Sequence, residues 1–265
     1  MAEALQGHYK VITRSLLGRY RGFMSSYILI TIAAFFAGVL NAIAGGGSFL
    51  TLPALIFAGV PPVAANATST LAVFPGYLGS AVGFRGDIAR VPRAMVFRYV
   101  VIALIGGLLG SLILLATSDR LFSAIVPWLL LAATLLFAFG DWVRARLSGI
   151  SLPEKSALMA VSIYGGYFNG GLGIILLSLF SALGMRDLNQ MNGLKSGLSF
   201  VLSAISVTTF AVAGIIYWSE AGVMMVASTA GGYAGAHVAK ALPKKIIRGF
   251  IVVIGLTMAT VFFIK

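Results

Sequence analysis

Polar residues that could bind a small anion cluster around two glycine runs in an otherwise apolar sequence. The first run covers residues 45–48, shortly after Asn41, and the second covers residues 169–173. Each glycine inside a helix costs about 1 kcal/mol relative to alanine, so we expect the backbone to open at both runs. Open backbone at membrane depth persists only where it lines a cavity or is buried in protein. Gly-interrupted apolar segments therefore predict a binding site at the membrane midplane.

The residues near the two runs are mostly hydrogen-bond donors, which suit an oxyanion. A helix N-terminus also presents unpaired N–H groups and a partial positive charge, and two broken helices would direct such ends at one point. Serine and threonine near helix starts have N-capping as an alternative role. Lys195 would add a full charge if it faces the interior, or it extends to the interface instead. The candidate substrate-binding residues are Asn41, Gly45, Gly46, Gly47, Ser48, Asn66, Thr68, Ser69, Asn169, Gly171, Asn192, Lys195 and Ser196.

The composition predicts an all-α polytopic membrane protein. Of 265 residues, 59% are hydrophobic and 10% are charged, against about 25% charged in soluble domains. Because about 20 apolar residues cross a bilayer, seven to eight transmembrane helices fit. The absence of cysteine excludes disulfides and cysteine metal sites. The net charge of +12 lies largely in the N-terminal segment and short loops, which is the topology signal of membrane proteins and no indication of nucleic acid.

Landmarks at a nearly constant offset predict two related halves. Gly45 and Gly171 are 126 positions apart, as are Asn66 and Asn192, and the glycine group at 106–110 recurs 125 positions later. Such self-similarity is typical of transporters built from internal repeats, which can be inverted. We predict a basic N-terminal segment (1–26), a first repeat (27–140), a cytoplasmic linker (141–156) and a second repeat (157–265).

The predicted spans leave the topology open. They are 27–44, 64–84, 97–116, 121–139, 157–183, 194–217, 221–239 and 249–264. Residues 49–58 are too short to cross, so they predict a half-helix or the far arm of a broken helix. The basic loops 85–98, 140–156 and 240–248 should all be cytoplasmic. This holds for loop 240–248 only if residues 157–183 re-enter the membrane from one side, or if both broken elements do so and the halves are inverted.

Two stretches resemble the signatures of the TauE/SafE sulfite exporter family. The first runs from Gly38 to Ser80 and holds Ala-Gly-Gly-Gly-Ser-Phe-Leu-Thr-Leu-Pro and then Ala-Asn-Ala-Thr-Ser-Thr. The second holds Met-Asn-Gly-Leu-Lys-Ser at 191–196, a glycine group at 231–235 and Leu-Pro at 242–243. The resemblance covers residues 27–265, although the second break lacks the serine and proline of the first. It implies an inner-membrane transporter of two related halves for sulfite, thiosulfate, sulfonates or other small organic anions.

We therefore predict a secondary transporter, or permease, for a small anion that binds between the two broken helices. The alternatives are an anion channel and a membrane subunit of a larger transport complex. An enzyme is not expected, because no clustered acids, histidines or cysteines could form a catalytic or metal site. We expect no cofactor and no nucleic-acid partner. The expected partners are the anion and the lipid bilayer, with a homodimer left open, and the expected location is the cell inner (plasma) membrane as a multi-pass protein.

Overall fold

A computed structural model describes residues 24–41, 46–147, 153–238 and 244–264, and in these ranges the chain is helical with no strand. The helices are α1 (Met24–Asn41), α2 (Ser48–Phe57), α3 (Pro62–Gly83), α4 (Arg85–Ile88), α5 (Arg93–Ala116), α6 (Asp119–Leu147), α7 (Glu154–Tyr167), α8 (Leu172–Ala182), α9 (Leu188–Val212), α10 (Trp218–Val238) and α11 (Lys244–Ile264).

The two glycine runs separate helices. Helix α1 ends at Asn41 and α2 begins at Ser48, while α7 ends at Tyr167 and α8 begins at Leu172. At the second break Asn169 and Gly171 have left-handed backbone, with φ of 61° and 70°. Helix α2 has ten residues, which is the short helix predicted for this part of the chain.

Four of the described helices are long and apolar enough to cross a membrane. They are α1, residues 119–136 of α6, α5 and α9. Helices α3, α10 and α11 have 21 or 22 residues each. Helix α9 begins at Leu188 and not near residue 194 as expected, because the Asp187 carboxylate accepts hydrogen bonds from the Asn189 and Gln190 N–H groups and caps the helix. Asn192, Lys195 and Ser196 are therefore inside α9 and not at its start.

Glycines bring two pairs of helices into backbone contact. In the α1–α10 pair, a Cβ built on Gly231 would lie 1.8 Å from the Phe35 carbonyl oxygen. In the α5–α7 pair, a Cβ on Gly110 would lie 2.1 Å from the Ile163 carbonyl oxygen. Small residues allow this close approach, which supplies van der Waals contact between membrane helices. Helix α3 packs against α9, and α6 against α11.

A pair of substitutions in α10 tests this packing. Gly231→Ala should lower the melting temperature, because the added methyl group collides with the backbone of α1 and such overpacking costs about 1–3 kcal/mol. Gly222→Ala is the matched control, since a Cβ at Gly222 meets no atom within 4 Å. Thermal unfolding in detergent should show a loss only for Gly231→Ala, and equal melting temperatures would contradict the close α1–α10 contact.

Candidate functional site

At the first break, Asn41 caps the open backbone. Its Oδ1 accepts hydrogen bonds from the N–H groups of Gly46 and Gly47 at 3.0 and 2.8 Å. Ser48 follows as the first residue of α2 and is buried, whereas Gly45 lies outside the described residues. In this conformation the Asn41 side chain is hydrogen-bonded to the backbone of Gly46 and Gly47, which gives Asn41 a structural role at the break.

Helix α3 carries a second set of hydroxyl groups beside the first break. The Ser69 hydroxyl hydrogen-bonds the Thr51 hydroxyl of α2 at 2.6 Å, and both side chains are buried. Thr68 accepts a hydrogen bond from the N–H of Tyr217 at 3.1 Å, at the turn before α10. Thr68 and Ser69 lie in the second turn of α3, whose N-cap is Pro61, so neither caps this helix.

Asn66 connects the two halves of the chain. It is 2% exposed, and its Nδ2 donates to the carbonyl oxygen of Tyr167, the last residue of α7, at 2.9 Å. This carbonyl belongs to the helix end at the second break, where the intrahelical acceptor bonds stop. Asn66 of the first broken region thus satisfies a carbonyl of the second.

Asn169 lies inside the second break with its side chain buried. Its Nδ2 donates to the Ser203 hydroxyl of α9 at 3.4 Å, and Tyr77 of α3 lies beside it. Its Oδ1 has no hydrogen-bond partner in the part of the chain that the structure describes. A buried amide oxygen without a partner is costly, so Asn169 is a group that water, or a ligand with a hydrogen-bond donor, could satisfy.

The two breaks are in direct contact. A Cβ built on Gly171 would lie 3.7 Å from Cζ of Phe49, which is the second residue of α2, and 3.0 Å from the Ala133 Cβ of α6. Phe49 and Phe168 belong to the same buried core cluster. The N-terminal ends of the short helices α2 and α8 therefore approach one another. From the sequence alone this approach could be predicted but not observed.

Asn192, Lys195 and Ser196 form a separate group near the start of α9. The Lys195 ammonium donates to the Asn192 Oδ1 at 3.2 Å, and the Asn192 Nδ2 donates to the Leu188 carbonyl of its own helix. Ser196 hydrogen-bonds Ser80 of α3 at 2.8 Å. The rings of Phe74 and Phe200 stack at 4.9 Å between this group and the break cluster around Asn66 and Asn169.

Sequence reasoning selected Ser196 but not the three serines that follow it on the same face of α9. Ser199, Ser203 and Ser206 recur at helical spacing and are all buried. The hydroxyls of Ser199 and Ser206 have no hydrogen-bond partner among the described residues. The serine spacing alone, at i, i+3, i+7 and i+10, could have identified this polar stripe.

A cavity of about 200 Å³ between α1, α2 and α11 lies away from these polar groups. Its lining is apolar and includes Leu29, Phe36, Leu50, Phe57 and Met258. Such a surface cannot stabilise an anion, because it offers no hydrogen-bond donor. No cluster of three or more acidic or histidine side chains that could hold a metal occurs within the described ranges.

Several long apolar helices around a buried polar centre define a multi-pass membrane protein of the transporter class. The chain belongs to the family described as sulfite exporter TauE/SafE, whose model matches residues 30–262. It is similar to a probable membrane transporter protein of Haemophilus influenzae, with 29% identity over 235 residues that cover 87% of this chain and 91% of the relative. No solved structure gave a significant match.

Two further relatives carry the same description. The probable membrane transporter protein ORF9 of a Sinorhizobium species is 25% identical over 237 residues, covering 86% of this chain and 88% of the relative. The probable membrane transporter protein YfcA of Escherichia coli K12 is 28% identical over 249 residues, covering 89% and 90%. These alignments extend over most of the chain, so the similarity to membrane transporters is not confined to one part of it.

Proposed function

We propose that this transporter is a secondary permease for a small anion, bound near the membrane midplane between the two helix breaks. The substrate class is a sulfur-containing anion such as sulfite, thiosulfate or a sulfonate like sulfoacetate, or a small organic acid. The family name supports the sulfur anions, and the donor-rich centre supports an anion of either kind. The protein resides in the inner membrane, requires no cofactor and acts without enzymatic chemistry.

The observation that carries this proposal is the junction of the two breaks. The Asn66 side chain reaches the last carbonyl of α7, and Phe49 lies against Gly171, so polar residues from both parts of the chain share one buried centre. Converging helix N-termini with amide and hydroxyl donors supply favourable electrostatics for an anion without a second charged residue. The binding residues are those assigned from the sequence around both breaks, together with the α9 serines, while Asn41 holds the backbone of the first break.

The arrangement of helices supports two inverted repeats within a bundle of seven to eight transmembrane segments, of which the two broken ones re-enter the membrane from one side. Helices α1, α2, α3, α5 and α6 of the first repeat would correspond, in this order, to α7, α8, α9, α10 and α11 of the second. The repeats would cover residues 27–140 and 157–265, with a cytoplasmic linker at 141–156. A two-fold relation then pairs α5–α7 with α10–α1, and both pairs pack closely through glycine. Phe74 and Phe200 are 126 positions apart and stack on one another, as residues at such an axis would.

The direction of α3 and α9 adds further support for inversion. Ser80 bonds Ser196 and Phe74 stacks on Phe200, so residue numbers rise along one helix as they fall along the other. Equivalent helices that run antiparallel across an axis in the membrane plane are the arrangement expected of inverted-topology repeats.

The rival functions make different predictions for transport by purified protein in vesicles. A carrier should saturate and should exchange labelled anion against unlabelled anion inside the vesicle. An anion channel would also let labelled and unlabelled anion exchange, but its flux would not saturate at low anion concentration, and a membrane subunit of a larger complex would be inactive alone. Saturable exchange by the isolated chain is the result that supports the proposal.

Lys195 should strengthen anion binding, because its ammonium group would lie beside the route that the anion takes. It is the only charged residue between positions 188 and 219. Lys195→Gln should lower anion affinity about tenfold or more, because hydrogen bonds to charged groups contribute about 1.5–3 kcal/mol. The control is Lys155→Gln, which removes an exposed lysine at the start of α7. Equal affinities for both variants, measured by calorimetry, would remove Lys195 from the binding path.

A further inference from the structure

The burial of helix α3 changes abruptly at Pro75. All ten residues from 64 to 73 are buried, whereas none of the residues from 74 to 90 is. Pro75 lies inside the helix, where proline removes one backbone hydrogen bond and weakens the helix. The change in burial and the proline coincide, which separates a buried first half from a less buried second half that reaches Asn169 only through Tyr77.

The peripheral half is also rich in glycines that packing does not require. A Cβ built on Gly76, Gly79 or Gly83 would meet no atom within 4 Å. These positions differ from Gly231 and Gly110, where neighbouring backbone excludes a side chain. Glycine without a packing reason makes a helix segment easier to deform, and sharp bends in helices concentrate at such positions.

We define the α3 arm as residues 75–88, which comprise the end of α3 and the short helix α4. The arm lies over the first turns of α9. Ser80 bonds Ser196, and a Cβ built on Gly193 would lie 3.2 Å from the Phe84 Cβ and 2.8 Å from the Ile88 Cγ1. Ser199 follows Ser196 by about one turn of α9 and is 1% exposed.

We propose that the α3 arm is a gate that moves about Pro75 and opens the polar centre on the side of the basic loop 85–98. Ser80 of the arm hydrogen-bonds Ser196, so displacement of the arm would expose this end of the α9 serine stripe. At the 126-residue offset, residues 75–83 of the arm correspond to residues 201–209 of α9, which contain neither glycine nor proline, so the two halves are unequal. The role of the gate rests on the proposed anion transport, but its movement can be tested without any substrate.

A disulfide between the arm and α9 tests the movement. The chain has no cysteine, so introduced thiols are the only ones present. Phe84→Cys with Gly193→Cys should form a disulfide, since the 3.2 Å separation is close to the usual Cβ–Cβ distance of about 3.5–4.5 Å. Ser199→Cys serves as the reporter, and peptide mass spectrometry follows its reaction with a small water-soluble thiol reagent.

We expect the thiol at position 199 to react at least tenfold more slowly with the disulfide closed than after reduction of the same protein. Equal rates in both forms, or no reaction in either form, would overturn the gate. Ile88→Cys with Gly197→Cys, joined by a short bifunctional thiol-reactive cross-linker, provides a second lock if the first variant folds poorly. If no anion binds this protein, the proposed function fails while the labelling rates still decide whether the arm moves.

Discussion

Asn66→Ala should abolish anion binding and transport. The substitution removes a donor from the buried centre and leaves the Tyr167 carbonyl without its 2.9 Å hydrogen bond. An unsatisfied buried carbonyl costs about 1–3 kcal/mol, so the end of α7 should shift and the melting temperature should fall as well. Binding is measured by calorimetry with the purified protein, and transport by uptake into vesicles.

The control for this substitution is Asn189→Ala, which removes an exposed asparagine from the first turn of α9. It should leave binding and transport close to those of the unmodified protein. An Asn66→Ala protein that folds and transports normally would contradict the junction of the two breaks as the binding site, although the family membership would stand.

Gly171→Ala should also eliminate transport, because it strains the second break and crowds it. Alanine at a left-handed position costs about 1–2 kcal/mol, and its Cβ would lie 3.0 Å from the Ala133 Cβ of α6. We expect the start of α8 to move away from Phe49, which separates the two breaks. Transport and melting temperature are measured on the same preparation.

Gly184 also has left-handed backbone, so it is the control that distinguishes backbone strain from the effect of the place of Gly171 in the second break. Gly184 has φ of 88°, and a Cβ at this residue would meet no atom within 4 Å. Gly184→Ala should therefore lower stability by the cost of the left-handed backbone alone and leave anion affinity unchanged. If both variants lose transport equally, general destabilisation and not the geometry of the break explains the result.

The helix breaks could be predicted from the sequence because their cause is local. Consecutive glycines disfavour a helix wherever they occur, and the segment after the first run is too short to cross a membrane. The glycine groups near 106 and 231 were recognised as repeat landmarks, and the structure adds a reason for them in the close α5–α7 and α1–α10 contacts.

The partners of the polar residues could not be predicted, because they are distant in sequence. Asn66 and Tyr167 are 101 residues apart, and Thr68 and Tyr217 are 149 apart. Hydropathy also predicts the start of α9 too late, at residue 194, which leaves Asn192 outside the helix, because it does not register the Asp187 cap. Asn41 was selected as a ligand, whereas the structure pairs it with the backbone of its own break.

The most direct test of anion binding at the two breaks is a thermal-shift measurement on the purified protein. The panel holds sulfite, thiosulfate, sulfate, sulfoacetate, isethionate, acetate and chloride. A ligand at 100 times its dissociation constant stabilises the folded state by about 2.7 kcal/mol. We predict a raised melting temperature with one or two sulfur anions or small organic acids, and no rise in the Asn66→Ala protein. No shift with any anion, or the same shift after Asn66→Ala, would contradict anion binding at this site.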